Sequence, residues 1–218
     1  MFALGTLLLG LALTPNSNPS IKIKALYFGT NPKQIGIKDR HGEIAPHSIY
    51  AHSFTPYFAV HCPENKLTLY RIQPHSSESA QWLPWVSATV PSSGENFLAI
   101  ISETPSPKLY LLSDSHYPQE GGIFHIFNLS SASVAIDFPG QKKVLTRGQS
   151  IQFRPQVKNA TYGQGRFSMI GEIDAEARQN GVRWLQMEDI RSFWFILPPS
   201  FDGPSFVLKN IEDRILVP

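Results

Sequence analysis

The sequence predicts an all-β chain: two tandem antiparallel β-sandwich domains, Ig-like or jelly-roll-like, related by internal duplication. Three observations predict it. Short apolar stretches recur about every 8–12 residues with turn residues between them, the spacing typical of sandwiches and barrels. Only 17% of the 218 residues are charged, while 18 are Pro, a balance that favours short strands joined by turns over long surface helices. The order of features in the first half also repeats in the second.

The chain opens on an apolar run, Leu4-Gly5-Thr6-Leu7-Leu8-Leu9-Gly10-Leu11-Ala12-Leu13, closed by the polar breaker Thr14 to Ser20. The run is too short for a bilayer, which needs about 20 residues, and its length suits the apolar region of a signal peptide. No Lys or Arg precedes it, and Gly10-Leu11-Ala12 is the nearest approach to a cleavage site. Residues 1–20 are therefore expected to be a leader, with a mature chain starting near Ile21 and a secreted, periplasmic or cell-surface destination. No later stretch is long and apolar enough to cross a membrane, so no integral span is expected.

The first sandwich is expected over residues 21–115 and the second over 122–218. Ala25-Leu26-Tyr27-Phe28-Gly29-Thr30 followed by Gln34-Ile35-Gly36-Ile37 is matched by Phe124-His125-Ile126-Phe127-Asn128-Leu129 followed by Ser133-Val134-Ala135-Ile136. Phe54-Thr55-Pro56 is matched by Phe153-Arg154-Pro155, and Asn96-Phe97-Leu98-Ala99-Ile100-Ile101 by Ser192-Phe193-Trp194-Phe195-Ile196-Leu197. Strands are predicted near 22–28, 34–38, 48–52, 57–62, 67–73, 84–90, 96–102 and 108–113, and again near 123–128, 133–138, 149–154, 166–172, 182–187, 192–197 and 205–209. A single helix of about two turns is expected at Asp174–Gly181, with Asp174 as cap and Asn180-Gly181 as stop. The turn-rich link at 113–122 is short, so the halves should pack side by side. The contact between them is expected to draw on Trp82 and Trp85.

Net charge is +2. Lys142-Lys143 and the scattered Lys22, Lys24, Lys33 and Lys38 read as solvated strand ends, without the clustered footprint a nucleic-acid partner requires. Cys62 is the only cysteine, which excludes an intrachain disulfide and a thiolate metal cluster. His41, His47, His52, His61 and His75 crowd the first half, yet no Met follows Cys62 closely, and adjacent His61 and Cys62 point to opposite faces of a strand. No metal and no cofactor is expected.

A hydrolase reading fails on motif. Asp114-Ser115-His116 are neighbours in sequence, whereas triad partners meet from distant positions, and no Gly-x-Ser-x-Gly elbow is present. Glu172 and Asp174 do not form a carboxylate pair facing each other across a cleft. No catalytic residue is expected. Asn128-Leu129-Ser130 and Asn159-Ala160-Thr161 match the glycosylation sequon without any sign of a eukaryotic secretory context. Trp184 and Trp194 read as core, and Tyr50, Phe54, Tyr57 and Phe58 as core or rim.

The remaining feature is Gln81-Trp82-Leu83-Pro84-Trp85. In a loop, Trp82 and Trp85 could stack on a sugar or reach into a partner; in a strand they would fill a core. The reading is thus a non-catalytic exported protein that acts by protein–protein contact, with a carbohydrate-binding module using an exposed Trp loop as the alternative.

Overall fold

The computed structural model describes residues 20–29, 33–73, 81–103, 106–114, 120–170, 179–199 and 206–215. Residues 1–19 of the expected leader, His75, half of the link between the halves and residues 174–178 of the expected helix lie outside them.

The first half is built from β1 (Ser20–Phe28), β2 (Lys33–Lys38), β3 (Ile44–Ile49), β4 (Phe58–His61), β5 (Lys66–Gln73), β6 (Gln81–Thr89), β7 (Asn96–Ser102) and β8 (Lys108–Ser113). The second is built from β9 (Phe124–Asn128), β10 (Val134–Phe138), β11 (Gln141–Leu145), β12 (Ser150–Phe153), β13 (Thr161–Met169), β14 (Gln179–Gln186), β15 (Ile190–Leu197) and β16 (Val207–Arg214). These form four four-stranded sheets, in strand order β3-β2-β5-β6 (sheet 1), β4-β1-β7-β8 (sheet 2), β12-β9-β15-β16 (sheet 3) and β11-β10-β13-β14 (sheet 4). Adding eight to each strand number of the first half reproduces the second, including the one parallel pairing, β1 with β7 and β9 with β15. The protein is two tandem β-sandwiches of one topology.

Each sandwich closes its own core. Ile23, Ile35, Ile37, Leu67, Leu69 and Phe97 fill the space between sheets 1 and 2. The second core, between sheets 3 and 4, is aromatic: Phe124, Phe138, Phe167, Trp184 and Trp194, with Phe124 and Trp184 centroids 4.9 Å apart. Glycines on β13 make room for these rings. A Cβ on Gly163 would lie 2.3 Å from Trp184 Cζ2, and one on Gly165 would lie 2.5 Å from Phe138 Cδ1.

A third apolar cluster joins the halves. Leu26, Phe28, Leu98 and Ile100 of sheet 2 meet Phe127, Phe193, Phe195, Leu197 and Ile211 of sheet 3. Phe28 sits edge-on to Phe195 at 5.2 Å, and Phe54 edge-on to Phe193 at 5.2 Å. The sheets therefore stack in the order 1-2-3-4. The strands of the middle sheets are covered on both faces, which explains the unbroken burial of β9 and nearly all of β7 and β15. Each fully buried Leu, Ile or Phe stabilises the fold by about 1.5–3 kcal/mol. Trp82 and Trp85, expected in this contact, are not part of it; Phe28, Phe54 and the aromatics of β9 and β15 take that place.

Other expectations shift for physical reasons. The third strand lies at Ile44–Ile49 instead of 48–52, because Pro46 sits inside an edge strand, where a missing N–H is tolerated. The strand Gln141–Leu145 carries no apolar alternation to announce it, since its only buried residue is Leu145. Gln179, Asn180 and Gly181 open β14 instead of ending a helix. The proposed match of Phe97 with Phe193 slips by one residue: Phe97 faces the first core and Phe193 faces the contact between halves. A one-residue slip exchanges faces in a strand.

Candidate functional site

Trp82 and Trp85 lie on β6, a strand and not a loop, and both are half-buried. β6 pairs with β5 as far as Leu69 with Val86, then shifts so that Tyr70 opposes Pro84. The shift leaves Trp85 as the extra residue of a bulge. Its indole packs against the first core, and Lys33 Nζ stands 4.1 Å over the ring. The Lys33 ammonium is itself paired with the Glu103 carboxylate, which also accepts the Tyr27 hydroxyl proton. Burial would raise the Glu103 pKa, but the Lys33 and Tyr27 hydrogen bonds outweigh it and hold the carboxyl below its usual range. An open hollow of about 330 Å³ lies beside Trp85, between the edges of β6 and β8.

Trp82 points the other way. Ile35 and Ile37 face the core, so Gly36 between them faces outward. A Cβ on Gly36 would lie 2.6 Å from Trp82 Cε3 and 2.5 Å from Ile44 Cγ2. The indole thus lies across the outside of sheet 1. Trp82 opposes Ile72, Tyr70 opposes Pro84 on β6 and Gly36 on β2, and Pro46 opposes Gly36 from the other edge. Lys38 Nζ is 5.2 Å over the Tyr70 ring. The result is an outer face of Ile44, Pro46, Tyr70, Ile72, Trp82 and Pro84, each half-buried or exposed. The structure does not bring the two indoles together on one surface.

The strongest charge cluster is elsewhere, inside the contact between halves. The Arg191 guanidinium donates to Asp114 from Nη1 (3.1 Å) and Nη2 (3.4 Å), and to Asp213 Oδ2 from Nε (3.0 Å) and Nη2 (2.7 Å). Lys24 Nζ donates to the same Asp213 oxygen at 3.0 Å, and the Tyr57 hydroxyl donates to Asp114. Arg191 and Asp114 are both buried. Lys24, read from sequence as a solvated strand end, is a half-buried member of this network. Burial would lower the Arg191 pKa, but the Asp114 and Asp213 carboxylates raise it. Burial would raise that of Asp213, but Arg191 and Lys24 hold it down. Two cations and two carboxylates balance; of the three ion pairs, Lys24–Asp213 and Arg191–Asp114 cross from one half to the other, and Arg191–Asp213 lies within the second. No single sequence motif announces such a network, because its members come from positions 24 to 213.

His125 lies in the same contact, fully buried and stacked on Phe193 at 4.9 Å. Burial, reinforced by Arg191, lowers its pKa to about 4.

No protein-family model matches this chain. No curated protein is similar to it either.

Among the described residues, no three His, Cys, Asp or Glu side chains converge as metal ligands, and no helix is long and apolar enough to cross a membrane. His41 and His52 are exposed, and His47 stacks on Phe58 at 4.5 Å. Cys62 is buried, and its thiol pKa is pushed up to about 11 by desolvation, the reverse of what a nucleophile needs. Asn128 is buried and fully engaged: its Nδ2 donates to Ala132 and Leu145 carbonyls (2.7 and 2.8 Å), and its Oδ1 accepts from the Ser130 hydroxyl (2.7 Å). That sequon shapes a turn.

Proposed function

We propose that the protein is a non-catalytic, exported component that works by contact, presenting the outer face of sheet 1 to a protein partner of the cell envelope. The supporting observation is the Trp82–Tyr70 face. Aromatic rings and prolines are held there by strand pairing on a covered core. A rigid amphipathic surface of this kind loses little entropy on binding. Export rests on the apolar run at residues 4–13.

The test is saturable retention of the purified protein on envelope fractions of its source cells, compared with Tyr70→Glu and Pro84→Glu. Both positions are outside the core, so thermal unfolding should stay within a few degrees. Retention should weaken about tenfold or more, the range of an anchoring contact. Equal retention of both variants would overturn the reading.

A second reading, glycan binding at the Trp82 side of sheet 1, draws on the partly exposed Trp82 ring. It expects Trp82→Ala to abolish retention on a glycan panel while Trp85→Ala acts on the fold.

A further inference from the structure

The outer face of sheet 4 has a different chemistry. Strand register sets Lys142 opposite Asp137, Asp137 opposite Arg166, and Arg166 opposite Gly181. One strand step along, Gln164 opposes Arg183, and beyond that Tyr162 opposes Leu185. All of these side chains point outward, since Ile136, Phe138, Phe167 and Trp184 occupy the inward positions between them.

Asp137, Lys142, Gln164, Arg166, Gly181 and Arg183 line an open groove of about 700 Å³ that ends at the Pro139-Gly140 turn, and Tyr162 stands beside it, next to Arg183. The groove floor is bare at Gly181, where an added Cβ would meet nothing within 4 Å. Lys142 pairs with Asp137 at 3.1 Å. Arg183 lies 4.1 Å over the Tyr162 ring, and that ring is 62% exposed. Among the described residues Arg166 has no ion-pair partner. Three cations thus surround the groove against one carboxylate. From sequence, the region shows only Lys142-Lys143; the cations gather because three strands bring them side by side.

We propose that this groove binds a linear acidic polysaccharide through its uronic acid carboxylates. The Arg166 and Arg183 guanidiniums offer planar forks matched to carboxylates. The exposed Tyr162 face suits the apolar side of a sugar ring, and the Gln164 amide both donates and accepts for hydroxyls. The glycine floor admits a flat ring against the sheet. Three cations are too few for a nucleic-acid track; an acidic peptide could also meet the Arg pair, but the Tyr162 ring and the Gln164 amide beside it favour a sugar. This site is on the opposite end of the stack from the Trp82 face and does not depend on it.

Titration calorimetry of the intact protein with polygalacturonate oligomers at low salt tests the proposal. Arms with neutral dextran, dextran sulfate and polyglutamate separate the chemistries. Polygalacturonate should bind, weaken as salt screens the exposed charges, and bind at least tenfold more weakly to Arg166→Gln/Arg183→Gln. Tyr162→Ala should weaken it further while leaving the salt dependence unchanged. Dextran should not bind. Absence of polygalacturonate binding, equal binding by the double variant, or stronger binding of polyglutamate or dextran sulfate would each overturn it. The substitutions are on an exposed face, and an unchanged circular dichroism melt confirms that folding is unaffected.

Discussion

The seam is made of one pair of equivalent sheets and the outer faces of the other pair, and the two differ in almost every property. At the seam, sheets 2 and 3 press together leucines, isoleucines and phenylalanines around a neutral four-charge network. Outside, sheet 1 carries Trp82, Tyr70 and prolines, and sheet 4 carries Lys142, Arg166 and Arg183. The same sheet from each half meets at the seam. The cores diverge as well: aliphatic in the first half, aromatic in the second.

The difference predicts where substitutions act. The largest effect is expected at the seam. Arg191→Ala leaves Asp114 buried without its cation, and urea unfolding should show a loss of about 3–5 kcal/mol. Stability should also fall with acid. The folded pKa of His125, about 4, lies below its unfolded value of about 6.5, so the unfolded state takes up the proton first. Stability is then level above pH 6.5 and falls by on the order of 3 kcal/mol between pH 6.5 and 4. The depressed Asp213 pKa acts in the same direction, with a loss at still lower pH. His125→Phe should flatten the upper part of that profile in denaturant titrations at stepped pH.

Smaller effects are expected further out. Gly163→Ala drives a methyl into Trp184 and should cost about 1–3 kcal/mol. Gly36→Ala meets only Ile44 and Trp82 on an open face, so its effect should be smaller, and thermal melts of the pair compare core with surface directly. Arg183→Gln should change stability by less than about 0.5 kcal/mol, while altering what the groove binds.

Much of the fold was legible in the sequence because strand signals are local. Alternation marked β2 and β5, and the continuous apolar runs marked β7 and β15. Edge strands were harder. β11 has little to bury, and Pro46 disguised β3 as a turn. Trp82 and Trp85 were visible as residues, but their faces depend on a bulge opposite Leu69 and Tyr70, which no local pattern reveals. Arg191, Asp114, Lys24 and Asp213 look like ordinary charges in sequence, and only the stacking of two sheets makes them a unit. The cations of sheet 4 are invisible in sequence for the same reason: register, and not proximity along the chain, gathers them.

Native-state amide hydrogen exchange tests most directly whether the seam makes one cooperative body of the two sandwiches. The amides of β1 and β7 should exchange together with those of β9 and β15, all at the rate set by global unfolding. If one half's central strands exchanged freely while the other's stayed protected, the sandwiches would be independent and the seam would not unite them.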